Sequence, residues 1–164
     1  MTDRRDPIRP ADDAARRTAR ELILSARTAA LAVIDPRTGA PFASRIAVGV
    51  LPGGRIATLV SALSLHTRAL AADPRCCLLF GEPARRGDPL NHPRLSVAAT
   101  ARFLDRPGDA DRAAREGWLA IHPRSRLYVD FPDFSFAMLL PLSGSLNGGF
   151  GRTYSLGPDD LTVG

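Results

Sequence analysis

The sequence predicts a mainly β domain of the α+β class: an antiparallel β-barrel of six or seven strands, with two or three helices inserted between them. Three observations carry that prediction. Apolar and β-branched runs, several with period-two alternation, are bounded by Pro- and Gly-containing turns. Strand and helix signals do not alternate regularly, which argues against a parallel doubly wound sheet. The chain has 164 residues, which suits one domain with its own core, and closure into a barrel removes exposed sheet edges.

The elements follow in order. Residues 1–11 are polar, contain Pro7 and Pro10, and read as a flexible N-terminal arm; 12–164 read as a single domain. Asp12 or Asp13 can cap a helix whose apolar stripe is Ala15, Ala19, Leu22, Ile23 and Ala26. Thr28 to Ile34 is an apolar run, Asp35-Pro36-Arg37-Thr38-Gly39 a turn, and Phe42 to Val50 an alternating strand, so the two runs predict a hairpin. Pro52-Gly53-Gly54 turns into a third strand, Arg55 to Ser61. Ser64 can cap a short helix over Leu65 to Ala72, which Asp73-Pro74 ends. A fourth strand runs from Arg75 to Phe80. After a Gly- and Pro-rich loop, Leu95 to Phe103 alternates most regularly of all. Pro107-Gly108-Asp109 opens another helix, with Trp118 as a core anchor, and a short helical piece follows His122-Pro123. Phe134 to Leu140 alternates as a strand that Pro141 is expected to end or to place at an edge, and 145–151 read as a last short strand into a glycine turn.

Composition narrows the function classes. The 22 basic residues are all Arg, against 17 acidic ones, for a net charge of +5. Aromatic residues make up 6% and are not interleaved with a basic run, so no nucleic-acid partner is expected. No apolar run is long enough to span a bilayer, and the N-terminus lacks an apolar signal core, so a cytoplasmic protein is expected. Adjacent Cys76 and Cys77 would point to opposite faces of a strand, as two small buried groups rather than a disulfide. His66, His92 and His122 are scattered without metal-ligand spacing, and no nucleophile elbow, phosphate-binding P-loop or dinucleotide fingerprint is present.

One constellation carries chemistry. Alternation places Arg45 on a strand face otherwise made of Ala43, Ala47 and Gly49. A long guanidinium among small side chains leaves room for an anion, which it can grip bidentately. The same residue on a solvated face would be an ordinary exposed strand Arg, and the strand alone leaves both readings open. Ser61 to Arg68 then ends a strand and starts a helix, where unpaired N–H groups, the hydroxyls of Ser64 and Thr67, and Arg68 all favour an anion. Two neighbouring elements thus point to one phosphate site.

These pieces resemble the pyridoxamine 5′-phosphate oxidase-like, FMN-binding split-barrel family, most of all its haem-utilisation branch. The resemblance runs through the opening helix into Thr28 to Val33, then Ala43-Ser44-Arg45-Ile46-Ala47-Val48 and Ser61 to Arg68. It continues through His92 to Val97, His122-Pro123, Asp133 to Phe136 and Gly148 to Arg152. It implies a homodimer with flavin mononucleotide (FMN) at the interface and an FMN-dependent oxidoreductase acting on a small molecule. It also implies that Arg45 with Ile46 and Ala47, and Ser64, His66, Thr67 and Arg68, hold the cofactor. Ser61 would lie near the flavin ring, and Arg94 would contribute from a later strand. The alternative is a non-catalytic haem- or deazaflavin-binding split-barrel protein. Pyridoxamine phosphate oxidases carry a late Arg-x-His motif; here Arg152-Thr153-Tyr154 stands instead and no His follows His122, so that reaction is not expected. Haem-degrading relatives use a histidine in a C-terminal region that these 164 residues lack, so haem cleavage is not expected either. Asn147 stands where the family usually has an apolar residue.

Overall fold

The computed structural model describes residues 8–149 and 151–164. The strands and helices, in chain order, are β1 (Ile8–Pro10), α1 (Asp13–Ser25), β2 (Thr28–Ile34), β3 (Pro41–Ala47), β4 (Gly49–Leu51), β5 (Arg55–Ser61), α2 (Leu65–Ala72), β6 (Arg75–Phe80), β7 (Arg94–Phe103), α3 (Asp109–Ile121), β8 (Phe134–Asn147) and β9 (Thr153–Leu156). Residues 1–7 of the expected arm lie outside the described residues.

The strands form one sheet in the order β1-β9-β8-β7-β6-β2-β3, with β5 added to β8 and β4 to β5. Every pairing is antiparallel except β1 with β9. Because β4 follows β3 directly in the chain, the path β3-β2-β6-β7-β8-β5-β4 returns to its start. The sheet therefore curls into a barrel that is split between β3 and β5. The Thr58 hydroxyl stitches this split by donating to the Ala47 carbonyl at 2.8 Å.

Several expectations are corrected. The run Phe42 to Val50 is not one strand: it breaks at Val48, and its halves pair with β2 and with β5. His122 holds the corner by donating from Nε2 to the Val48 carbonyl at 2.8 Å, while Val48 N–H donates to Arg27. Of the two outcomes expected for Pro141, an end or an edge, the edge is found, and β8 continues through it. It sits opposite Ala99 at a register shift, beyond the residues of β8 that pair with β5 and before those that pair with β9. On that edge no ladder bond is asked of it, so its missing N–H costs nothing there. The final hairpin strand is β9, not residues 145–151, and Ile8–Pro10 forms a strand against it where an arm was expected. The nine strands of the sheet among the described residues exceed the six or seven expected, the excess coming from the split run and the short edge strand β1.

Two clusters make the core. Inside the barrel lie Leu31, Val33, Leu78, Leu95, Val97 and Leu139, closed by Ala15, Ala19 and Ile23 of α1 and by Ala69 and Leu70 of α2. The Asp12 side chain caps α1 by accepting the Ala15 N–H at 2.7 Å. The second cluster lies beneath α3, where Trp118 packs with Leu59, Phe136 and Met138. Its indole N–H donates to Ser125 Oγ at 3.0 Å, so the ring is buried with its polar atom satisfied.

Candidate functional site

The site is built on β3, β5 and α2. Arg45 is exposed on the outer face of β3, and in the sheet its row continues through Ala30 of β2, Leu79 of β6 and Ser96 of β7. The small-residue surroundings read from alternation are present: Ala43 and Ala30 flank it, also exposed. Ile46 points into the barrel core and Ala47 is half-buried at the split. The neighbouring Ser44 faces the other way, and its hydroxyl lies 3.0 Å from His66 Nδ1. That contact joins β3 to the first turn of α2. Burial pushes the His66 pKa below its ordinary value, which keeps the ring neutral near pH 7.

Ser64 occupies the position before α2, with extended backbone, and its carbonyl accepts the Arg68 N–H at 3.3 Å. Its side chain makes no capping bond, contrary to expectation, so the first-turn N–H groups stay available to another acceptor. Thr67, two residues into the helix, is 8% exposed, and its hydroxyl oxygen is buried without a hydrogen-bond partner among the described residues. An orphaned buried hydroxyl in the first turn of a helix fits an anion the protein alone does not supply. Arg68 is exposed and helps hold the Asp35 carboxyl below its usual range, behind the larger effect of the hydrogen bonds from Arg37.

Ser61 ends β5, and its hydroxyl donates to Asp133 Oδ2 at 2.6 Å while accepting the Leu63 N–H. Arg94 shares the outer face with Arg45 but stands three strands away, about 14 Å at ordinary strand spacing, and donates to the Leu90 carbonyl. Within one chain the Ser44–His66 contact brings β3 to the first turn of α2, which carries Ser64, His66 and Thr67; Arg45 stands on the opposite face of β3, Ile46 lies in the core, and Arg94 is three strands away. Sequence reasoning missed Ser44 and Asp133. The signal for Ser44 was a hydroxyl on the otherwise apolar face of Phe42, Ile46 and Val48. Asp133 gave none, since its partner is 72 residues away. Asn147 gains a role: its side-chain oxygen accepts the Gly149 N–H at 3.0 Å and shapes the β8–β9 turn.

Cys76 and Cys77 are unlinked and half-buried, and burial raises both thiols, Cys76 to about 11, so neither is a ready nucleophile at neutral pH. Among the described residues no cluster of three or more His, Cys, Asp or Glu side chains could hold a metal ion. No described helix is long and apolar enough to cross a membrane.

Residues 15–138 match the sequence profile of the family described as pyridoxamine 5′-phosphate oxidase. The chain belongs to that family. A solved structure 40% identical to this family member superposes with a TM-score of 0.82 over 93% of this chain and 98% of that one. A heme binding protein from Mycobacterium smegmatis is 32% identical, with a TM-score of 0.81, covering 94% of this chain and 61% of that one. A non-canonical heme oxygenase, HOZ, of the Arabidopsis thaliana chloroplast is 37% identical over 82 residues, half of this chain. The matched stretch is only 24% of that protein's length.

Proposed function

We propose that this chain binds FMN and acts as a flavin-dependent oxidoreductase on a small molecule. The buried, unpartnered Thr67 hydroxyl carries this reading. Around it, the uncapped first turn of α2, the Ser64 hydroxyl and the Arg45 guanidinium would hold the phosphate, and the Ser44–His66 contact would set the angle between β3 and the helix. When bound, the flavin supplies the redox chemistry, and the protein's part is to hold and orient it. The Ser61 hydroxyl, already aimed by Asp133, would border the ring system. The outer face is consistent with a homodimer with the site at its interface: Leu79 and Leu142 are 44% and 54% exposed beside Ala30, Ala43 and Ala98. Exposed leucines among small side chains on a sheet face suit an association surface. Unlinked cysteines accord with a cytoplasmic location.

Purified protein tests the reading. It should be yellow, or become so on reconstitution, and release FMN on denaturation. Thr67→Val and Arg45→Ala should each lose FMN affinity, the Arg45 change by roughly 1.5–3 kcal/mol. A colourless protein that cannot be reconstituted overturns it. Haem binding is the second reading, favoured by the two haem-associated relatives; a saturable visible-band titration with haemin, together with no FMN uptake, would replace the first.

A further inference from the structure

A pocket lies away from the β3–α2 corner, where β5, β8 and β7 run side by side. It encloses about 340 Å³. Its apolar lining includes Met138 and Leu140 of β8, Leu104 after β7 and Ala110 of α3. Its charged residues are Arg55 and Arg102, and no acidic side chain lines it.

Register explains why the two arginines line one pocket. Met138 pairs with Arg102 on one side and with Ala57 on the other, so these three side chains share a face. Arg55 lies two residues before Ala57 and therefore shares it too. β8 separates their strands, which puts the two backbones about 10 Å apart, within reach of two arginine side chains closing on one small group. Arg16, Arg37, Arg75, Arg106, Arg112 and Arg115 all have an aspartate partner. The side chains of Arg55 and Arg102 make neither an ion pair nor a hydrogen bond among the described residues. Two cations held on an apolar floor, with no acid to balance them, are complementary to an anion that carries a hydrocarbon body.

We propose that this pocket binds an amphipathic carboxylate, its head clamped between Arg55 and Arg102 and its apolar part lying over Met138, Leu140 and Leu104. The site is separate from the flavin corner and does not depend on it. Calorimetric titration of the full chain with octanoate tests it, with octanol and inorganic phosphate as probes that each carry half of the recognised chemistry. Octanoate should bind saturably, and both octanol and phosphate at least about tenfold more weakly. Arg55→Gln and Arg102→Gln, both at exposed positions, should each weaken octanoate by roughly tenfold or more while FMN content stays unchanged. Absence of saturable octanoate binding overturns the proposal, as does binding that octanol matches or that neither substitution weakens.

Discussion

His66 shows how one side chain can tie the fold to the site. It stands in the first turn of α2, with its Nδ1 3.0 Å from Ser44 Oγ, and burial lowers its pKa. The unfolded chain therefore takes up a proton at that ring more readily than the folded one. The stabilising difference is complete above the unfolded value, about 6.5, and is lost as pH falls below it. Urea midpoints should fall between pH 7.5 and pH 5.5, and His66→Gln should flatten that fall; equal slopes in both proteins would disprove the account. The aspartates held low by arginine, such as Asp73 at about 2, act only in more acid solution. Alternation alone placed Arg45 among small neighbours. Neither the Ser44–His66 contact nor the Ser61–Asp133 bond has a signature in the chain, since each joins residues from different elements.

At the scale of elements, turn chemistry was legible and strand length was not. Gly39, Gly53 and Gly54 all have positive φ, at +71°, +81° and +72°, where the Pro- and Gly-containing turns place them. Gly54 carries a further constraint, because a Cβ there would lie 1.8 Å from the Val163 carbonyl oxygen, whereas nothing lies within 4 Å of one at Gly53. Gly54→Ala should destabilise by at least about 1 kcal/mol more than Gly53→Ala. At this chain length that means a Tm lower by a further ~2–4 °C or more in thermal denaturation. Equal effects would mean that the C-terminal segment does not press on this turn. The strand lengths depended on partners instead. β3 and β4 separate because each finds a different neighbour, and β8 continues through Pro141 because β7 supports it along its whole length.

At the scale of the molecule, the barrel closes on its own core, and among the described residues no helix covers the outer face of β2, β3, β6 and β7. Ala30, Ala43 and Ala98 are exposed on that face, with Leu79 standing out from it. Leu79→Glu leaves the barrel interior untouched, so the chain should fold with an unchanged far-ultraviolet spectrum. If the proposed homodimer forms through this face, light scattering should show a dimer for the wild type and a monomer for Leu79→Glu. A dimer that survives the charge would place the association surface elsewhere. FMN content should fall with the dimer, because Arg45 lies in the same row as Leu79.

The sequence by itself determined the class, the order of most elements, the apolar faces and the arginine that leads the candidate site. All of these follow from short-range periodicity and from turn residues whose preferences are local. Only the tertiary structure decided where the barrel splits, that Thr67 is buried without a partner, that Arg94 stands apart from Arg45, and that Arg55 and Arg102 converge on one pocket. Each of these depends on which strands become neighbours. That pairing comes from burying a shared core, which no local stretch of the chain encodes alone.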